Sequence, residues 1–174
     1  MASITQRDVY VGVGSNIEAR AHIGTALASL TALGLLRQVS PVYRTRAVAM
    51  GDADDFLNLV IRLAWSEDLS SLKAVLDDLE ANAGRQPSPD SAWSARTLDL
   101  DILLDGTTVA SYGSRPWQVP HPDIERFAYV AVPLADVAGH LAHPSNGRPI
   151  AVIAASLGRD GIEPCDWKVT TDAK

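Results

Sequence analysis

From Phe56 to Trp65 every second position, beginning at Leu57, is a large apolar residue. Leu57, Leu59, Ile61, Leu63 and Trp65 share one face of the strand this predicts, and Phe56, Asn58, Val60, Arg62 and Ala64 share the other. A strand face this apolar has to be covered, and segments of helical period on either side can cover it. Upstream, Asp8 to Gly14 places Val9, Val11 and Val13 on one face and reads as a strand closing in a Gly14-Ser15-Asn16 turn. Ile23, Leu27 and Leu30 then follow at helical spacing, with Gly34 as a stop. Leu36 to Tyr43 reads as a strand cut by Pro41, hence an edge strand, and Thr45 to Asp55 as a loop. Downstream, Asp68 to Ala83 carries Leu72, Val75, Leu76, Leu79 and Ala83 on one helical stripe. After an irregular loop from Arg85 to Ser94 comes a strand, Thr97 to Leu104, and Asp105-Gly106 predicts a hairpin into Thr107 to Tyr112. Ile124 to Ala138 reads as a helix kinked or restarted at Pro133, followed by a short helix near Ile150 to Leu157 and an irregular tail. The order β-α-β-β-α-β-β-α predicts an α+β fold. The expected form is a ferredoxin-like α/β sandwich, with a mainly antiparallel sheet and helices packed on it, in a single domain over residues 1–174.

With 174 residues, 47% hydrophobic and 21% charged, the chain is long and apolar enough to bury a core, which excludes disorder. The formal charge of −6 argues against a nucleic-acid binder but leaves room for a small phosphorylated ligand held by a few local cations. Cys165 is the one cysteine and has no partner for an internal disulfide. Met1 to Asp8 lacks the apolar core of a signal peptide, and the longest apolar run, Ile150 to Leu157, is too short to span a membrane. The expectation is a cytoplasmic protein, monomeric or weakly dimeric, with neither nucleic-acid nor membrane partners.

Chemistry concentrates in Arg96-Thr97-Leu98-Asp99-Leu100-Asp101-Ile102-Leu103-Leu104. On a strand Leu98, Leu100, Ile102 and Leu104 face the core, and Thr97, Asp99 and Asp101 share the opposite face with the two Asp Cα atoms about 7 Å apart. Two readings stand: a solvated strand edge, or a hard-cation site, since Mg²⁺ takes one or two carboxylates and leaves its other positions to water and phosphate. Arg96 and Trp93 beside the pair add a cation and a stacking surface. Gly12-Val13-Gly14-Ser15-Asn16 reads as a tight turn, or as a turn whose amides receive a phosphate at a helix start.

These segments are more specific together than apart. Val11-Gly12-Val13-Gly14-Ser15-Asn16, Ser40-Pro41-Val42-Tyr43-Arg44-Thr45, Asp55-Phe56-Leu57-Asn58, Glu80, Gly84-Arg85, the Arg96 to Leu104 segment, Val119-Pro120-His121-Pro122 and Val132-Pro133-Leu134 follow one another in this order. In them the chain resembles the 6-hydroxymethyl-7,8-dihydropterin pyrophosphokinases of folate synthesis, over roughly residues 9–138. The resemblance implies Mg²⁺-dependent transfer of pyrophosphate from ATP to the hydroxymethyl oxygen of the pterin, with release of AMP. It implies that Asp99 and Asp101 hold two Mg²⁺ ions and that Arg96 joins them as a catalytic residue. Thr45, Val48, Phe56, Asn58, Trp93 and Tyr129 would bind the pterin, with Phe56 and Tyr129 sandwiching its ring and Asn58 reading its polar edge. Glu80, Trp93, Arg96, His121 and Arg126 would serve the nucleotide. On their own, Phe56 and Tyr129 read equally as core residues, and His121 as a capped loop histidine.

The chain also departs from the family. Its loop before the carboxylate strand has Arg85 as the only cation through Trp93, with Ala92 where an arginine is usual, and is one residue longer. Arg126 stands where Glu is usual and Phe127 where Arg is usual, and Val48 to Asp52 lacks a Gly-Pro. The thinned cations leave a second reading open: a divergent paralogue that binds a pterin or related ligand without the transfer.

Overall fold

A computed structural model of the chain describes residues 5–46, 55–84 and 96–169. Along the chain run β1 (Arg7–Ser15), α1 (Ala19–Ala32), β2 (Leu36–Val39), β3 (Tyr43–Thr45), β4 (Phe56–Trp65), α2 (Leu69–Asn82), β5 (Asp99–Asp105), β6 (Ala110–Tyr112) and β7 (Trp117–Val119). A 3-10 turn, Pro122–Glu125, leads to α3 (Ala128–Ala138), α4 (Ile150–Leu157) and β8 (Ile162–Pro164). The main sheet has the order β5-β1-β4-β3-β8, with β2 also on β4, and every pairing in it is antiparallel. Read from β1 to β5 this is the expected ferredoxin-like α+β unit.

Alternation sends the two sheet faces to different partners. Val9, Val11 and Val13 of β1, Leu57 to Trp65 of β4 in steps of two, and Leu100 and Ile102 of β5 form one core with Ile23, Leu27 and Leu30 of α1 and Leu69, Leu72 and Leu76 of α2. The second face contributes Tyr10, Val60 and Leu103 to a core with Leu134 and Val137 of α3 and Ile150 and Ile153 of α4. α2 starts cleanly because the Asp68 carboxylate accepts from the Ser71 N–H at 2.8 Å, an N-cap.

Several expectations change. Leu104 does not follow Leu98, Leu100 and Ile102 into the first core. The register opposite Tyr10 and Val11 skips Leu103, and this bulge turns Leu103 and Leu104 together toward α3 and α4. Gly12 and Gly14 are not a turn; they lie inside β1, paired to β4 and β5. The strand expected over 36–43 is two strands, β2 and β3, separated at Ser40 to Val42. Asp105-Gly106 turns the chain, but β6 pairs with β7 and not with β5. α3 starts at Ala128 and continues through Pro133, and the tail is not wholly irregular, since β8 joins the sheet beside β3. Among the described residues no helix is long and apolar enough to cross a membrane.

Candidate active site

α3 and α4 cover only part of the second sheet face, and the uncovered part is a cavity of about 410 Å³. Its floor follows from strand register. Gly12 lies between Val60 on β4 and Asp101 on β5, and Gly14 lies between Asn58 and Asp99. A Cβ built on Gly12 would touch a Leu103 methyl at 3.4 Å, and one on Gly14 would come within 3.4 Å of the Asn58 Oδ1. The glycines keep open the strip between the carboxylates and Asn58, where any side chain would stand on the floor.

The residues after the glycines hold the next strand. The Asn16 and Ile17 N–H groups both donate to the Arg96 carbonyl, and the Asn16 Oδ1 accepts from the Arg96 N–H at 2.7 Å. The Ser15 hydroxyl donates to the Thr97 carbonyl at 2.5 Å. These amides are spoken for, so neither the tight turn nor the phosphate cradle read at Gly12 to Asn16 is found there; the segment is a clamp that brings Arg96 to the cavity. There the Arg96 guanidinium pairs with the Asp99 carboxylate.

Asp101 carries the electrostatic cost of the pair. Burial, and after it the charge of Asp99, pushes the Asp101 carboxyl above its ordinary range, while His121, Lys73 and Arg96 oppose this. The Thr97 hydroxyl oxygen, just before β5, is buried and has no hydrogen-bond partner. Among the described residues no three His, Cys, Asp or Glu side chains gather as a ready metal site. A buried carboxyl beside a second carboxylate fits Mg²⁺, because that ion completes its shell with water and phosphate oxygens.

Facing the carboxylates, His121 caps the 3-10 turn: its Nδ1 accepts from the Asp123 N–H at 3.2 Å, which leaves Nε2 as the donor. The bulged strand sets its place, since the His121 N–H donates to the Leu103 carbonyl at 2.9 Å. Tyr129, from the first turn of α3, lines the cavity, and Phe127 stacks on it with ring centroids 5.2 Å apart and planes 19° apart. The Arg126 guanidinium lies 5.3 Å from the Phe127 ring centroid and 3.5 Å from the Asp123 carboxylate. Burial, then the carboxylates of Asp123, Asp101 and Asp99, pushes the Tyr129 phenol up to about 12, so it stays protonated. On the cavity's other side the Asn58 Nδ2 donates to the Thr45 hydroxyl at 2.8 Å.

Asn58, Arg96, Asp99, Asp101, His121, Arg126 and Tyr129 are therefore brought to one cavity, with Thr45 directly behind Asn58. Phe56, half-buried, is on the same sheet face two residues before Asn58 but does not line the cavity, and the ring beside Tyr129 is Phe127. Glu80 lies outside the cavity, buried on α2, with its Oε1 accepting from the Leu100 N–H at 2.6 Å. Val48, Ala92 and Trp93, with the loop from Arg85, lie outside the described residues. Sequence reading passed over Asp123 and Lys73; the signal for Lys73 is a lysine on the stripe that Leu69, Leu72 and Leu76 bury.

The family model for 7,8-dihydro-6-hydroxymethylpterin-pyrophosphokinase (HPPK) matches residues 10–139. A 2-amino-4-hydroxy-6-hydroxymethyldihydropteridine pyrophosphokinase of Pseudomonas aeruginosa is 36% identical over 158 residues, 89% of this chain and 94% of that protein. The enzyme of the same name from Aquifex aeolicus is 29% identical, over 82% of this chain and 87% of its own length. Among solved structures, wild-type Plasmodium falciparum HPPK-DHPS with pteroate matches with a TM-score of 0.70. That match has 10% identity and covers 92% of this chain and 48% of the larger one, and it speaks to the fold.

Proposed function

The chain belongs to the 7,8-dihydro-6-hydroxymethylpterin-pyrophosphokinase family, and from that premise we propose how its own residues carry out the family's reaction. It is a pyrophosphokinase of folate biosynthesis with ATP as co-substrate. One observation carries the assignment of residues: Asp99 stands across bare Gly14 from Asn58, and Asp101 across bare Gly12 from Val60, in a cavity that Tyr129 also lines.

In this reading the pterin lies against Tyr129, with Phe56 as the second ring, and Asn58 and Thr45 offer a donor and an acceptor to its polar edge. Val48 and Trp93 keep the pterin contacts that the family resemblance assigns to them. Asp99 and Asp101 would hold two Mg²⁺ ions, whose charge would neutralise the triphosphate and favour the attacking and leaving oxygens. Arg96, paired with Asp99 before substrate arrives, turns to the phosphates, and His121 and Arg126 add donors on the nucleotide side. Trp93 and Glu80 complete that side, Glu80 from behind the strand. The pterin hydroxymethyl oxygen bonds to the β-phosphorus and gives up its proton to solvent. The bond from that phosphorus to the α,β-bridging oxygen breaks, and AMP leaves with the oxygen. The residues contribute position and charge, which is most of what such a transfer requires.

Incubating the purified protein with ATP, Mg²⁺ and 6-hydroxymethyl-7,8-dihydropterin tests the reading. AMP should form in step with the diphosphorylated pterin, and only when the pterin is present. Intact ATP, or release of ADP, would overturn it.

A further inference from the structure

β5 is an edge strand, and its outer edge is not left to water. Leu100 sits between the two cavity carboxylates, and both of its backbone polar groups are taken by side chains of α2. Glu80 accepts from the Leu100 N–H at 2.6 Å, and the Lys73 ammonium donates to the Leu100 carbonyl at 3.3 Å. Both are deeply buried, Lys73 at 7% and Glu80 at 5% exposure. Lys73 is fixed further by the Asp77 carboxylate at 2.8 Å and lies 5.5 Å from the Trp117 ring centroid.

Burying a lysine on a leucine stripe is costly, and here it supplies the donor that the buried Leu100 carbonyl would otherwise lack. What the ammonium achieves here is local. Asp99 and Asp101 leave the strand from either side of Leu100, so the orientation of the two peptides around Leu100 sets the spacing and direction of the carboxylates. A donor and an acceptor gripping one residue hold that orientation; either alone lets it rock. Groups that orient a metal's ligands in this way commonly govern its affinity by about 10–100-fold.

We propose that Lys73 is a positioning residue for the Asp99–Asp101 pair, acting through the Leu100 backbone to set the affinity of the carboxylates for a divalent cation. The proposal rests on the reading of that pair as the cation site. The full chain, without nucleotide, is titrated with Mn²⁺ and the free ion followed by electron paramagnetic resonance. Pterin binding by fluorescence and Tm are recorded on the same samples. Lys73→Met should weaken Mn²⁺ about tenfold with pterin affinity unchanged, and Lys73→Arg should restore most of the loss. Asp101→Asn separates the two ideas: if it leaves Mn²⁺ binding unchanged, the cation site itself is wrong. If Asp101→Asn abolishes binding while Lys73→Met stays within twofold of the parent, the site stands and the role of Lys73 falls. Equal weakening of Mn²⁺ and pterin by Lys73→Met would also overturn the role, as general damage. Should Lys73→Met not fold, Asp77→Asn, which removes the anchor of the ammonium, carries the test. A threefold or greater weakening of Mn²⁺ supports the proposal, and unchanged affinity overturns it.

Discussion

The two faces of the main sheet are built from alternate residues of the same strands, yet they have opposite characters. One face is covered by α1 and α2 with an apolar core, apart from Lys73 and Glu80, which are buried at its β5 edge. The other is covered by α3 and α4 at Tyr10, Val60 and Leu103 and is open beyond them, where Gly12, Gly14, Asn58, Asp99 and Asp101 line a cavity. The covered face makes the strands rigid; the open face uses that rigidity to hold two carboxylates and an amide at fixed separation. Positions one residue apart should therefore fail in different ways.

The sharpest form of the contrast is Asp101 against Leu100. Asp101→Asn should cost roughly 10²–10³ in kcat, of the order seen when one transition-state contact is removed, with Tm nearly unchanged. Leu100→Ala, at a fully buried position, should cost about 2–5 kcal/mol of stability. If Asp101→Asn keeps full turnover, or unfolds the protein as Leu100→Ala does, the division between the faces is wrong.

A smaller effect is expected at the floor. Gly14→Ala places a methyl 3.4 Å from the Asn58 Oδ1. In an open strip of strand the change should be neutral or stabilising by up to about 1 kcal/mol, since alanine restricts the unfolded chain more than glycine does. The pterin KM should nonetheless rise, by about tenfold, because the methyl stands where the ring edge has to lie. Steady-state kinetics beside a urea melt would show this split. Loss of stability without a change in KM would mean that Gly14 serves packing.

How much of this could be read from the sequence depended on which face a residue serves. β4 was legible end to end, because large apolar residues at every second position from Leu57 to Trp65 describe one strand face. The family was legible from the order of its short segments, and the family match bears it out. Asp8 to Gly14 was legible as a strand, but Gly12 to Asn16 also reads as a turn because glycine disfavours strands on average; here the demand for a bare floor overrides that preference. The hairpin after Asp105 was misplaced because sequence does not show that the outer edge of β5 is already occupied. Lys73 and Glu80 hold Leu100 there, and the His121 N–H holds the Leu103 carbonyl. Phe127 was legible only as a missing arginine; that it stacks on Tyr129 depends on how α3 begins.

That stack makes the next prediction. Phe127→Leu removes an aromatic pairing worth about 0.5–1.5 kcal/mol, so the Tyr129 ring loses its brace and the pterin KM should rise no more than about tenfold. Phe127→Arg, the residue usual in the family, should lower the ATP KM while raising that for the pterin. Unchanged pterin kinetics in both variants would show that Tyr129 does not need this neighbour.

The smallest effect concerns the partial cover itself. His143 lies between α3 and α4 and is 3% exposed; its Nδ1 accepts from the Ser145 N–H at 3.4 Å, and its backbone holds Arg148 and Gly147 in a turn. Burial lowers its pKa below the ordinary histidine value; Glu125 opposes this and Arg148 adds to it. In the folded protein the neutral ring is favoured, so near the unfolded pKa of about 6.5 the unfolded chain binds more protons. The stabilisation is fully present above that pH and is lost as pH falls through the lower, folded value. His143→Asn, which removes the titrating ring, should flatten this part of the Tm profile by no more than about 2–4 °C. Hydrogen exchange should locate the acid loosening in α3 and α4 and leave α1, α2 and the strands they cover protected. If instead the covered face opens first between pH 7 and pH 5.5, the half-covered face is not the weaker of the two, and the contrast between them fails on the side of stability.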